Sequence, residues 1–563
     1  MASNAELNLA WAYGLFEGLR AGGLREVVVS PGSRSTPLAL AAFRHPKLRA
    51  RVVLDERTAA FFALGMARAS GRPVALVATS GTAVAEWLPA VAEADLSRVP
   101  LLLLSADRPP ELRQCGANQT IDQTGLFGTR TRFTMDLPLP DEGLLPAASR
   151  FAVRAATAAL WPLPGPAHLN CPFREPLVPT ADGVLPSQPP PRVSRPDLLP
   201  DPDHLRHIAE GINGRPGLIL CGPEQGAPLP AKEIAALAAS LGVPILADPL
   251  SNLRCGPHDR GNLIALYDAS LRQPAFREAA RPEWVLRFGA LPLSKHLEQV
   301  LAGLAGVRHI LADPCGRWAD PLHQADELIL GDPARVAEGL GRLAQPLEGE
   351  WLSLWKRREN EVKMILNLHS PAEALIVKEL GRRLPAGSLL FSGNSLPVRQ
   401  LDWFLEGRDQ PLRILCNRGA SGIDGNVATL LGMASVAEGP VVGLVGDLTL
   451  IHDLGALTEA KGIRALILVL DNGGGAIFDH LPQAALAERE ALFLTPRALD
   501  LETLAKAFGL NYRATDPDGF PEALEIMLPQ PGLGLLHIRL DRELSLMQHR
   551  NLWTKLASPP GNR

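Results

Sequence analysis

Asp447 and Asn472 stand 25 residues apart, each closing an apolar run: VVGLV before Gly446-Asp447, and ALILVL before Asp471-Asn472. Two buried parallel strands joined by a crossover helix read this way. Ligands of such sheets sit beyond the carboxyl ends of the strands. A carboxylate and an amide oxygen placed there suit one hard cation, and Mg²⁺ commonly shares its ligands with phosphate oxygens. Glycines 473–475 follow and let backbone approach a diphosphate. Turn chemistry alone also favours Asp, Asn and Gly at strand ends, so the choice falls to the rest of the chain.

Other strand ends carry polar clusters. Ser30-Pro31-Gly32-Ser33-Arg34-Ser35 combines an arginine with hydroxyls and free N–H groups, a carboxylate-binding set or a turn into a helix. Asp55-Glu56-Arg57 opens an alanine-rich apolar helix, where a carboxylate also meets the macrodipole. Ser105-Ala106-Asp107-Arg108-Pro109-Pro110 precedes Asn118-Gln119. Later, Ser392-Gly393-Asn394-Ser395 follows a strand, and Arg399 lies one helical turn past Ser395, so a hydroxyl and a guanidinium can share a carboxylate. Arg418 and Ile423 fall in a glycine-rich run, NRGASGIDG. Lys295-His296 follows a strand and either projects cations into a site or simply starts a helix in solvent.

These clusters need a scaffold of parallel sheets. Strands are expected over 25–30, 51–55, 73–79 and 100–106, with helices at 4–19 and 58–70. A proline-rich segment, 185–203, reads as a linker. Beyond it come strands at 217–222, 243–248, 284–289 and 307–313, with no GxGxxG to point to FAD or NAD. After a junction near 345–350, a helix is expected at 371–384, then strands at 389–391, 413–416, 441–445, 465–470 and 533–540. The chain has 563 residues, 46% hydrophobic and 21% charged, with a net charge of −4. That length calls for several domains. The charge gives no footprint for nucleic acid or an acidic membrane. The cysteines are scattered without a CxxC, which fits a reducing cytoplasm rather than a disulfide framework or a structural zinc site. Neither a signal peptide nor an apolar run long enough to span a membrane is read.

Gly446-Asp447 followed by Asp471-Asn472 resembles the thiamine diphosphate (ThDP) motif, with Leu448 in place of its third glycine and Asp471 in place of its first asparagine. With SPGSRS, Asp55-Glu56-Arg57, SADRPP, Gly393-Asn394-Ser395 and NRGASGIDG in this order, the chain resembles the 2-succinyl-5-enolpyruvyl-6-hydroxy-3-cyclohexene-1-carboxylate synthase family of ThDP-dependent enzymes in menaquinone biosynthesis, whose members also carry Leu at the Leu448 position. The resemblance spans nearly the whole chain. It implies three doubly wound parallel α/β domains: pyrimidine-binding (1–184), central and transhydrogenase-like (185–350), and diphosphate-binding (351–563). It implies a transferase that uses 2-oxoglutarate and isochorismate, as a homodimer or homotetramer with active sites between chains.

The same resemblance assigns residues. Glu56 activates the aminopyrimidine and is the catalytic residue. Ser392, Gly393, Asn394, Gly422, Ile423, Gly446, Asp447, Leu448, Asn472, Gly474, Gly475 and Ile477 hold the cofactor. Asp447, Asn472 and the Gly474 carbonyl ligate Mg²⁺, with Mn²⁺ an alternative. Ser33, Arg34, Arg108, Asn118, Gln119, Lys295, Ser395, Arg399 and Arg418 face the anionic substrates, and Ile477 and Phe478 form an apolar wall. His296 departs from the arginine expected after Lys295. The rival readings are an acetolactate-synthase-like carboligase or other 2-oxoacid decarboxylase, and a non-catalytic α/β nucleotide-binding protein.

Overall fold

The computed structural model describes residues 3–180 and 189–558; the expected 184/185 boundary and the start of the linker lie outside them. Three six-stranded sheets, parallel throughout, make up the fold. The first contains β1 (Glu26–Val29), β2 (Arg49–Val52), β3 (Val74–Ala78), β4 (Leu101–Asp107), β5 (Phe133–Asp136) and β6 (Ala167–Pro172), in the order β2-β1-β3-β4-β6-β5. The second contains β7 (Gly217–Cys221), β8 (Ile245–Ala247), β9 (Leu263–Ile264), β10 (Trp284–Phe288), β11 (Arg308–Ala312) and β12 (Glu327–Ile329), in the order β12-β11-β10-β7-β8-β9. The third contains β13 (Ser388–Ser392), β14 (Leu412–Cys416), β15 (Val441–Gly446), β16 (Ala465–Asp471), β17 (Asn511–Thr515) and β18 (Leu533–Arg539), in the order β14-β13-β15-β16-β18-β17. Central strands such as β3 and β4 are buried at every residue, the signature of a sheet covered on both faces.

One expected strand needs correction, and several elements went unread. The strand expected at 51–55 forms at Arg49–Val52, because pairing with β1 sets its register from Glu26↔Arg49 to Val29↔Val52. That frees Asp55 to cap the next helix. Strand β6 went unread because its run, AHLNCP, mixes polar residues into a fully buried strand. Most of their polar atoms are paired inside the sheet: Ser105 Oγ lies 2.7 Å from His168 Nε2 and donates to Asn170 Oδ1, while Asn170 Nδ2 donates to Asp107, and only His168 Nδ1 of these lacks a partner. The helix Trp351–His369 was also unread. Its charged run masks a buried stripe of Trp355, Val362, Ile365 and Leu366.

Contacts divide the chain into two compact units. One contains residues 1–196, 417–438 and 452–463; the other contains 197–416, 439–451 and 464–563. The grouping departs from linear thirds because the helix Asn426–Ala434 packs along the helix Glu56–Ser70 inside the first unit. Glycines make that approach possible. A Cβ on Gly432 would lie 1.9 Å from the Phe62 carbonyl oxygen, and one on Gly425 would enter the Phe61 ring. In the second unit, fully buried Arg254 donates to the carbonyls of Leu401, Asp402 and Leu405 and to the Asp402 carboxylate. It thereby closes the C-terminal end of the helix Leu396–Phe404, whose first turns hold Arg399. Among the described residues no helix is long and apolar enough to cross a membrane.

Candidate functional site

In the second unit the two strand ends meet as their spacing implied. Asp447 starts the short helix Asp447–His452 directly after β15, and Asn472 follows β16, its hydrogen-bonded neighbour. The Asp447 carboxylate accepts from the backbone N–H groups of Leu448 and Gly474, so the Gly446-Asp447-Leu448 turn and the glycine loop are in contact. Burial, with the nearby Asp471 charge adding to it, raises the Asp447 carboxyl to about 6. Asn472 Oδ1 is buried and has no hydrogen-bond partner, an arrangement that is costly unless something else binds there. An unpartnered amide oxygen beside a buried carboxylate fits a divalent cation with oxygen ligands. Gly446 and Gly473 face open space where a Cβ would stand, room that a diphosphate would use. Among the described residues no cluster of three His, Cys, Asp or Glu offers a different metal site.

The loop that supplies Gly474 is held from above. A Cβ on Gly474 would lie 2.2 Å from the Leu494 carbonyl oxygen, and Gly475 N–H donates to that oxygen at 2.8 Å. Ile477 and Phe478 follow on a 3₁₀ turn, both half-buried, with Phe478 against Phe493 at 5.2 Å between ring centroids. Asp471, the motif's departure, is bound at 2.8 Å by His537 Nε2, whose Nδ1 lies 3.0 Å from the Tyr512 hydroxyl.

Ser392 ends β13 and is fully buried; Gly393 and Asn394 follow, with Asn394 Oδ1 accepting from the Cys416 thiol. Ser395 caps the next helix at φ +72°, in the left-handed region where non-glycine residues are strained. Arg399 donates to the Ser395 carbonyl at 2.7 Å, which keeps the two together. Lys295 lies elsewhere in this unit, starts a helix in solvent and pairs with Glu298 at 2.7 Å. His296 faces Asp268 at 3.3 Å.

In the first unit Glu56 is the first residue of its helix, after Asp55, which caps Thr58 N–H at 2.7 Å. Glu56 is half-buried, and desolvation raises its pKa, with Asp55 and Glu86 adding to the effect. Arg34 is buried. It donates to the Phe173 carbonyl and the Glu175 carboxylate, while its Nε has no partner. Arg34 and Arg108 are close enough that, after burial, Arg34 is the largest cause lowering the Arg108 pKa. Two neighbouring guanidiniums with an unused donor suit a multiply charged carboxylate ligand. Ser80 joins this group: its hydroxyl accepts from Arg108 and donates to the Gln119 carbonyl, and its own carbonyl accepts from Gln119 Nε2. Ser33 and Asn118 are exposed nearby in sequence. Ser80 was missed, although Thr79-Ser80-Gly81-Thr82 directly after a buried strand was the signal that could have found it.

The NRGASGIDG run belongs to this unit. Arg418 is half-buried and Ile423 is 42% exposed, an unusual amount for isoleucine on a well-held loop. Asn426, fully buried, donates to the carbonyls of Gly422, Ile423 and Asp424 at 2.7–3.3 Å. It clamps the turn that presents Ile423. Only its adjacency to the run hinted at this.

Parallel sheets whose strand ends offer a carboxylate–amide pair beside a glycine loop, with a desolvated glutamate starting a helix, define the class of thiamine-diphosphate-dependent enzymes. Family models agree: "Thiamine pyrophosphate enzyme, N-terminal TPP binding domain" matches residues 11–126, and "Middle domain of thiamine pyrophosphate" matches residues 211–392. Within that class, curated 2-succinyl-5-enolpyruvyl-6-hydroxy-3-cyclohexene-1-carboxylate synthases are similar along nearly their whole length. The Dechloromonas aromatica (strain RCB) protein is 45% identical, covering 92% of this chain and 96% of that protein. The Chloroflexus aurantiacus protein is 44% identical, covering 97% and 96%. The Geobacillus thermodenitrificans protein is 42% identical, covering 98% and 96%. The chain belongs to the 2-succinyl-5-enolpyruvyl-6-hydroxy-3-cyclohexene-1-carboxylate synthase family.

Proposed function

We propose that the chain binds Mg²⁺ and ThDP and catalyses decarboxylation of 2-oxoglutarate with 1,4-addition of the succinyl unit to isochorismate, giving 2-succinyl-5-enolpyruvyl-6-hydroxy-3-cyclohexene-1-carboxylate and CO₂. The observation that carries this reading is the buried, unpartnered Asn472 oxygen beside the Asp447 carboxylate and Gly474. Bound ThDP supplies carbanion chemistry at the 2-oxo carbon. The protein's part is to hold and orient. Asp447, Asn472 and the Gly474 carbonyl hold the metal. Gly446, Leu448, Gly475, Ser392, Gly393 and Asn394 border the diphosphate, and Gly422 and Ile423 support the rings. Glu56, its basicity raised by desolvation, holds the aminopyrimidine proton. Arg399, Ser395 and Arg418 bind substrate carboxylates. Arg34, Arg108, Gln119, Ser33, Asn118 and Lys295 face isochorismate or the adduct, and Ile477 and Phe478 exclude water. Residues 1–184, 185–350 and 351–563 are the pyrimidine-binding, central and diphosphate-binding domains of a cytoplasmic enzyme.

The test is loss of isochorismate absorbance in the presence of ThDP, Mg²⁺ and 2-oxoglutarate. Turnover with pyruvate in place of 2-oxoglutarate would instead indicate an acetolactate-synthase-like carboligase. Glu56→Gln is expected to abolish turnover in a folded protein, and wild-type turnover would remove Glu56 from the mechanism. Sites between two chains, in a dimer or tetramer, are part of the same proposal. Refolding Glu56→Gln and Asp447→Ala chains together then restores about one quarter of the sites, because mixed pairs contain one intact site. No recovery in verified mixed dimers would mean that each chain builds its own site.

A further inference from the structure

Glu93 lies in the helix Leu88–Leu96, is 2% exposed, and belongs to no site assigned above. Its carboxylate gathers donors from two directions. Arg68 Nη2 and Ser97 Oγ approach at 2.7 and 2.6 Å from its own side of the unit. From the NRGASGIDG run, three successive backbone N–H groups approach: Gly419 at 2.9 Å, Ala420 at 2.6 Å and Ser421 at 3.4 Å. Successive amides converging on one point form an anion-binding nest. Here the chain fills that nest with its own carboxylate, more than 300 residues away in sequence. A Cβ on Gly419 would stand 2.7 Å from the Glu93 carbonyl oxygen and 2.6 Å from Ser97 Oγ. The close approach thus depends on glycine at that position.

The amides bound by Glu93 are bracketed by Arg418 on one side and Ile423 on the other. Asn426 holds the far end of the same loop. We propose that Glu93 is a positioning residue: its carboxylate fixes the 418–423 loop and thereby the aim of Arg418 at a substrate carboxylate and of Ile423 at the cofactor rings. The roles of those two residues rest on the function proposed above. A neutral amide cannot replace the carboxylate, because its NH₂ group would face N–H donors and leave them unpaired in the interior.

Hydrogen exchange and ThDP titration on the full-length protein with Mg²⁺ test this. In Glu93→Gln, the amides of 419–421 are expected to exchange about tenfold faster while β4 keeps its protection, and ThDP affinity falls about tenfold. The KM for 2-oxoglutarate rises by a similar factor. Ser97→Ala removes one neutral donor to Glu93 and an acceptor of Arg68 but leaves the carboxylate on the three loop amides, and keeps loop exchange and ThDP affinity near wild-type values. If Glu93→Gln does not fold, Glu93→Asp, which keeps the charge but withdraws it by one methylene, decides by the same readouts with smaller changes. Wild-type loop protection and ThDP affinity in either variant, even with a lowered melting temperature, would make Glu93 a purely structural residue and overturn the proposal. A wild-type chain that fails to bind ThDP would defeat the cofactor reading instead, and loop exchange would still decide the role of Glu93.

Discussion

Gly65→Ala is a substitution on which two physical effects have opposite signs. Gly65 lies inside the helix Glu56–Ser70, where alanine is favoured over glycine by about 1 kcal/mol. On local propensity alone the variant should be more stable. The packing says otherwise. A Cβ at Gly65 would stand 2.0 Å from the Thr429 carbonyl oxygen, 2.8 Å from its carbon and 2.9 Å from Met433 N. All three obstacles are backbone and cannot rotate away. A close C···O contact is about 3.3 Å, so the two helices must part by about 1.3 Å. Overpacking of this kind costs up to about 3 kcal/mol, and after the propensity gain the net loss is about 2 kcal/mol. The displacement also reaches Glu56, about 13 Å up the same helix. A misplacement of about 1 Å costs on the order of a hundredfold in rate. Urea unfolding and saturating turnover of the Mg²⁺–ThDP-loaded protein measure the two effects. A variant as stable as wild type, turning over at the wild-type rate, would refute the close crossing.

Arg399→Ala is expected to raise the KM for 2-oxoglutarate by about ten- to a hundredfold, from a charge-assisted bond of about 1.5–3 kcal/mol; an unchanged KM in steady-state kinetics removes Arg399 from the site. Asn426→Asp sets a carboxylate against three carbonyl oxygens and should destabilise by about 1–3 kcal/mol while weakening ThDP binding. A wild-type melting curve would show that the clamp on Ile423 is not made. Fully buried Asp453 is raised by burial from 3.8 to about 6. Because its folded pKa exceeds its unfolded one, its contribution is fully present below pH 3.8 and is lost as pH rises to about 6, a cost of at most about 3 kcal/mol. Asp453→Asn can still accept from Ala428 N–H and should lack that loss. A stability difference between the two proteins that stays constant from pH 4.5 to 7.5 would contradict this.

Local pattern was enough for the strand ends and for the residue types placed there. Alternation of apolar runs with helical spacing sets parallel sheets, and a parallel sheet delivers the residues after each strand to one edge, so Asp447, Asn472 and the Ser392–Ser395 turn were legible; Glu56 was legible as the start of an apolar helix. Buried polar strands were not. In β6, His168 and Asn170 are tolerated because Ser105 and Asp107 on the neighbouring strand and Gln123 from a loop meet them, and no short window of sequence contains those partners. The helix Trp351–His369 hid its apolar stripe behind charge for a similar reason, since its buried face becomes evident only against the core it covers. Glu93, Ser80 and Asn426 show the limit most clearly. Each is an ordinary polar residue whose work is set by groups it meets in space, and in the case of Glu93 those groups are backbone amides that carry no residue identity at all. Periodicity specifies which way an element faces. Which carboxylate enters which nest depends on long-range closure of the chain, and folding alone settles it.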